Sequence, residues 1–123
     1  MTPQHEMDLY GPPPDFRQDR LKAAFITSLV GMATDLSARE IAERTRSTQP
    51  VTRARQLAIY LAHITLSWPL ARVAYAFGRD RTTAGNAVRI IEDLREDPVM
   101  DARLSALESC ILQAPGSWTG DRS

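Results

Sequence analysis

The stretch Leu70-Ala71-Arg72-Val73-Ala74-Tyr75-Ala76-Phe77-Gly78-Arg79-Asp80-Arg81-Thr82-Thr83-Ala84-Gly85-Asn86-Ala87-Val88-Arg89-Ile90-Ile91 decides the fold. Leu70, Val73, Ala74 and Phe77 recur at the i, i+3, i+4, i+7 spacing of a helix stripe. Gly78 follows at once, the residue expected where a helix ends in a left-handed turn. Arg79-Asp80-Arg81 makes the turn, and Asp80 or Thr82 caps the next helix. That helix turns Ala84, Ala87, Val88, Ile91 and Leu94 inward and Thr82, Thr83, Asn86, Arg89 and Asp93 outward. A short helix, a tight turn and a longer helix with a polar outer face are the layout of a helix-turn-helix, whose second helix enters the DNA major groove by its N-terminus. An ordinary helical hairpin in a bundle has the same layout, so the pattern alone leaves both readings open.

The flanks predict more helices. Gly11-Pro12-Pro13-Pro14 stops any helix, so residues 1–14 are expected to be a flexible arm. Asp15 is a fair N-cap for a helix ending near Thr34, with Leu21, Phe25, Leu29 and Met32 as its inner stripe and Ala24, Ile26 and Val30 widening it. So apolar a helix must pack on something, either its own chain or a second copy in a homodimer. Ser37-Ala38-Arg39-Glu40 is a capping box for a short helix running out near Arg46. Ser47-Thr48-Gln49-Pro50 reads as a polar break before a third helix over about 52–66, with Leu57, Leu61 and Ile64 inward. Pro69 restarts the chain, and Trp68 beside it is expected to cap the core. Asp97-Pro98 opens the last helix, with Met100, Leu104, Leu107 and Ile111 inward; from about Pro115 the chain is small, polar and expected to be disordered. The fold class is all-α.

Composition agrees. Apolar residues make up 43% of the 123 residues, a globular proportion. No run approaches the ~18 uncharged apolar residues of a membrane span, and the first residues do not have the basic and apolar pattern of a secretory signal. The single Cys110 allows no internal disulfide, fits a reducing cytoplasm and is expected to pack against the core. With His5 and His63 the only histidines, no structural zinc set can be assembled. His63 is expected at a surface or half-buried position. Glu92-Asp93 and Glu96-Asp97 are expected to form a solvated helix face rather than a catalytic or metal site. No nucleophile–base pair and no Gly-x-x-x-x-Gly-Lys-Ser/Thr cradle occurs, so neither catalysis nor a cofactor is expected.

The formal net charge is zero, but its distribution is not even. Between residues 44 and 90 eight arginines oppose only Asp80, a local +7; residues 1–43 carry −3 and residues 91–123 carry −4. Charges are screened over roughly 8–10 Å in physiological salt, so the local value governs. Lys22 is the only lysine; arginine grips phosphate or guanine with a planar fork.

Three stretches carry a family resemblance. Arg53-Ala54-Arg55-Gln56 opening the long helix, Leu70 to Gly78, and above all Gly78-Arg79-Asp80-Arg81-Thr82-Thr83 followed by Ala87, Ile91, Glu92, Leu94 and Arg95 resemble the C-terminal, Trp-repressor-like DNA-binding domain of the bacterial replication initiator DnaA. The resemblance covers about residues 37–111. It implies a DnaA-like helix-turn-helix domain over 37–113, preceded by an N-terminal helix over 15–36 and followed by a tail over 114–123. It implies that Asp80, Arg81, Thr82 and Thr83 read bases, that Leu70 contacts the major groove, that Arg46 enters the minor groove, and that Arg55, Gln56 and Arg89 hold phosphates. Arg53, Arg79 and Asn86 complete the candidate set. The family has His where this chain has Arg81, and Val-x-His where it has Ala84-Gly85-Asn86. Gly85 costs about 1 kcal/mol against Ala within a helix, to be explained by a close approach to DNA or to another helix.

The expected function is therefore a sequence-specific, double-stranded-DNA-binding transcription regulator in the cytoplasm, associated with the nucleoid. The alternatives are a replication modulator competing for initiator sites and a protein-interaction adaptor that has lost DNA binding.

Overall fold

The computed structural model describes residues 15–43 and 48–114. Among them every regular element is a helix: α1 Phe16–Thr34, α2 Ala38–Ala42, α3 Gln49–Thr65, α4 Leu70–Phe77, α5 Arg81–Leu94 and α6 Pro98–Leu112. The expected arm over 1–14, the tail from Pro115 and Arg46 lie outside the described residues.

The caps written in the sequence are made. Asp15, Ser37, Asp80 and Asp97 each accept a hydrogen bond from the amide three residues on, and the Ser37 amide in turn donates to Glu40 Oε1 at 3.0 Å. Gly78 ends α4 at φ 67°, a left-handed conformation that costs glycine little, while the Arg79 amide closes back on the Ala74 carbonyl at 2.9 Å. Two boundaries differ from the sequence reading. α2 ends at Ala42 rather than near Arg46. α3 begins at Gln49, because Thr48 caps the helix and Pro50 occupies its first turn, where a missing amide hydrogen breaks nothing.

α3 is the axis of the bundle, packed between α1 and α5, with α2, α4 and α6 also against it. Leu57, Ala58, Ile59, Tyr60, Leu61 and Ala62 are all buried, and six consecutive residues at 3.6 per turn face every direction. Ile64, expected inside, is 41% exposed: it lies in the final turn, just before the chain reverses through Ser67 at φ 57°. Trp68 is buried as expected, its carbonyl 2.7 Å from Nδ1 of the half-buried His63. Cys110, expected in the core, is exposed, because only Leu104 and Ile111 of α6 are fully covered.

α1 is the largest correction. The helix has the expected bounds, but its inner face is Asp19, Lys22, Ala23, Ile26, Thr27, Val30 and Gly31. Leu21 and Met32 of the expected stripe are 58% and 80% exposed, and Phe25 is exposed as well. Hydropathy misplaced this face because polar groups on it are matched by neighbours. Asp19, 1% exposed, receives two hydrogen bonds from the Arg72 guanidinium of α4, at 2.8 and 3.0 Å. Arg72 also stacks over Trp68 at 4.5 Å, and the Thr27 hydroxyl donates to the Ala23 carbonyl. Gly31 is demanded by a close approach: a Cβ there would stand 2.5 Å from the Leu36 carbonyl oxygen, which the α1–α2 turn folds back against the helix. α1 packs on its own chain, giving Ala23, Ile26 and Val30 to the core.

At the other end, Arg95 joins α5 to α6 and α3 through Asp101, Glu108 and the Tyr60 hydroxyl at 2.6–3.1 Å. Partial burial works against its charge, but the hydrogen bonds to Glu108, Tyr60 and Asp101 outweigh it and raise the guanidinium above its ordinary pKa.

Two outcomes follow for α1. Asp19→Ala should destabilise the protein by about 2–3 kcal/mol, less than the 3–5 of a wholly buried pair because Arg72 remains partly in water; thermal melts read this as a fall of roughly 10 °C. Deleting residues 1–36 removes part of the core and should abolish the cooperative melt; an unchanged melting curve would show α1 to be an appendage.

Candidate nucleic-acid interface

α5 sets the geometry of the site. Asp80 Oδ1 accepts the Thr83 amide at 2.7 Å, which fixes the start of the helix. The hydrogen bond from the Thr83 amide, joined by one with the Thr83 hydroxyl, holds the Asp80 carboxyl below its ordinary pKa despite a small opposing effect of burial. Arg81, Thr82 and Thr83 then occupy the exposed first turn, and Asn86 and Arg89 continue the exposed face. The inner face, Ala84, Ala87, Val88 and Ile91, is buried. The division into two faces expected from the sequence is the one found.

Between α3 and α5 runs a groove of about 410 Å³. Arg55 and Gln56 of α3, Arg79 of the turn, and Thr83, Asn86 and Arg89 of α5 line it together. Residues more than 30 positions apart in sequence thus share one surface; Arg81 and Thr82, exposed in the first turn of α5, are not among the residues that line the groove. Thr52 also lines the groove and was missed. Its signal was positional, since it precedes Gln56 by four residues and so shares a helix face with it.

The arginines are not equivalent. Arg55 donates from Nε to the Ile41 carbonyl at 2.8 Å and from a terminal nitrogen to the Glu43 carbonyl at 2.9 Å. Arg79 donates to Glu43 at 3.0 Å and, more weakly, to Ala42 at 3.4 Å. Both therefore hold the C-terminal carbonyls of α2, the negative end of that short helix. Burial lowers the Arg55 pKa from its ordinary value. Arg89 holds Asn86 Oδ1 at 2.9 Å, and Arg53 holds Gln56 Oε1 at 3.1 Å, so each orients an amide on the candidate surface. Arg72, counted in the +7 segment, is matched by Asp19 and adds nothing to this face. Leu70 lies half-buried at the start of α4 against Gly85 of α5. A Cβ on Gly85 would meet only Leu70 Cδ1, at an ordinary 3.6 Å. Helix packing therefore does not require glycine there.

The model described as the bacterial DnaA protein helix-turn-helix matches residues 23–91, more than half of the chain. The chain belongs to this DnaA helix-turn-helix family. Among solved structures, the crystal structure of a DNA replication initiation factor superposes with a TM-score of 0.70 at 25% identity, over 89% of this chain and 35% of that one. The chain thus spans about a third of that protein's length. Among curated proteins no sequence match is found. The α4–turn–α5 unit is accordingly a DnaA-type, DNA-binding helix-turn-helix, and α3 with Arg55 and Gln56 is part of the matched domain. Among the described residues no group of three or more His, Cys, Asp or Glu is placed to hold a metal ion, and no helix is long and apolar enough to cross a membrane.

The Asp80 cap has a pH signature. Its pKa in the folded protein lies below the ordinary 3.8, so its contribution is complete above that value and is lost as pH falls through the lowered one. In an NMR titration the Thr83 amide should keep its hydrogen-bonded shift to below pH 3.8 and move upfield thereafter, and Asp80→Asn should remove the titration. An amide that moves at the ordinary aspartate pKa, or not at all, would show that the cap does not form.

Proposed function

We propose that this protein reads double-stranded DNA in a sequence-specific way, with α5 in the major groove, and that it has no catalytic activity. The observation that carries the reading is the shared groove of Arg55, Gln56, Thr83, Asn86 and Arg89 beneath a DnaA-type recognition helix. Hydroxyl, amide and guanidinium groups are the side chains that meet phosphate and base edges: arginine takes guanine O6 and N7, asparagine takes adenine N6 and N7, and a threonine methyl packs on thymine. Arg81 and Thr82, exposed in the first turn of α5, are the base readers in this reading; Arg89 and the α3 pair hold phosphate. The minor-groove role of Arg46 rests on the family resemblance alone.

The cellular role that fits best is transcription regulation in the cytoplasm, at the nucleoid. Arg81 and Asn86 stand where the family has His, so the preferred sequence should differ from the initiator's own. One observation favours a second role, modulating replication by occupying initiator sites: Gly78-Arg79-Asp80 and Thr82-Thr83 are retained, and the chain is similar to part of a replication initiation factor. Mapping bound sites across the genome separates the two, because the first requires promoters with a distinct motif and the second requires initiator boxes.

Gly85 gives a sharper test. With packing excused, its cost in the helix finds its reason in the close approach of α5 to the groove floor. Gly85→Ala should raise the melting temperature by a few degrees, since alanine is better by up to about 1 kcal/mol in a helix. The same change should weaken binding to the selected DNA site at least fivefold. A variant that is more stable and binds equally well would refute the close approach.

Binding should also fall steeply with salt. For about five neutralised phosphates, log K against log [salt] should slope near −4 to −5. Arg89→Gln should weaken all sequences alike and reduce the slope by about one. Arg81→Ala should also flatten base preference at one position, with roughly 10- to 100-fold loss on the best site. A slope near zero would rule out the DNA reading.

A further inference from the structure

A second hollow lies on the other side of the α2 carbonyl clasp. It measures about 290 Å³ and sits between α1, α2 and the end of α4. Its walls are made of the smallest apolar side chain: Ala23 and Ala24 of α1, Ala38 and Ala42 of α2, and Ala76 of α4. Larger residues at these places would fill the space, and Ile41 and Phe77 close it. Four arginines belong to the same lining, Arg20, Arg39, Arg55 and Arg79. Among the described residues no Asp or Glu lines it. The volume lies at the lower limit of the roughly 300–1,000 Å³ of small-molecule sites, too small for a protein segment with bulky side chains.

We propose that this hollow binds a small organic anion, a carboxylate on a compact apolar body, and that its occupancy weakens DNA binding. The alanine walls exclude water from the apolar body, which gains from leaving it. The carboxylate meets arginines, whose charge and N–H groups suit it. The coupling comes from geometry: Arg55 and Arg79 line both this hollow and the groove between α3 and α5. An anion on one side and a DNA phosphate on the other draw on the same two groups, so each lowers the other's affinity by the same factor. This second part rests on the DNA-binding reading; the first does not.

The test uses the full chain with 1-naphthoate as the anionic probe and 1-naphthalenemethanol as its neutral counterpart. In an NMR titration 1-naphthoate should saturate with one site, shifting Ala24, Thr27, Ala38 and Phe77, and the alcohol should bind at least tenfold more weakly. Two variants outside the DNA surface check the location. Ser28→Leu fills the hollow from an exposed position, and Arg39→Gln removes one rim charge; each should weaken 1-naphthoate at least fivefold while the melting temperature holds. In the second arm, saturating 1-naphthoate should lower DNA affinity several-fold in the unmodified protein and leave the Ser28→Leu protein unaffected. Equal binding of the alcohol, or shifts centred on Thr83, Asn86 and Arg89, would overturn the site. Binding in the hollow with DNA affinity unchanged would overturn the coupling, and a chain that takes up 1-naphthoate but no DNA would instead refute the DNA-binding reading.

Discussion

The structure depends on enclosing α3. A helix whose residues 57–62 are all buried has no face left for water, so it is stable only when neighbours cover its whole circumference. α1 and α5 lie on it most extensively, with α2, α4 and α6 completing the enclosure. Each neighbour gives at least one fully buried apolar residue to the shared core, such as Ile26 and Val30 of α1, Ile41 of α2, Val73 of α4, Ile91 of α5 and Leu104 and Ile111 of α6. α5 is therefore held by its buried face, Ala84, Ala87, Val88 and Ile91, while its polar face stays clear. Small residues on that face let α5 sit close to α3, which brings Asn86 and Arg89 within reach of the groove that Arg55 and Gln56 share.

Polar contacts then fix what apolar burial leaves loose. The Asp19–Arg72 pair sets how α1 lies on α4, and its near-complete exclusion from water on the Asp19 side makes that contact specific rather than merely adhesive. Arg95 does the same between α5 and α6. Arg55 and Arg79 do it for α2, by taking carbonyls that a five-residue helix leaves without internal partners. Charge on this protein thus serves two ends. Arg72 and Arg95 build the fold, Arg81 and Arg89 face solvent, and Arg55 and Arg79 stand between, anchoring α2 while lining both hollows beside it.

Much of this was legible in the residues. The capping side chains Asp15, Ser37, Asp80 and Asp97 mark helix starts through bonds made within three residues, and Gly78 marks a helix end through its own backbone freedom. The two faces of α5 follow from period, because its fully buried residues are apolar and its exposed ones polar; the half-buried Ile90, which lines the groove beside Thr83 and Asn86, departs from this. Such features are local, and local chemistry is written in the sequence. The resemblance carried by Gly78 to Thr83 extended this to the family, which the match over residues 23–91 bears out.

What the sequence did not determine is long-range. The inner face of α1 could not be read from hydropathy, because Asp19 is buried only where Arg72, 53 residues away, meets it. Cys110 and Ile64 look like core residues and are exposed because neighbouring elements stop short of them. The start of α3 at Gln49 turned on whether Pro50 would break a helix or open one, which Thr48 decided by capping it. The division of labour among the arginines was equally hidden. Eight arginines in one segment predict a basic centre, but only packing could assign Arg72 to a carboxylate, Arg55 and Arg79 to the carbonyls of α2, and Arg81 and Arg89 to the open face. A charge's role is set by what lies within a few ångströms of it in space, and in this fold those neighbours come from distant parts of the chain.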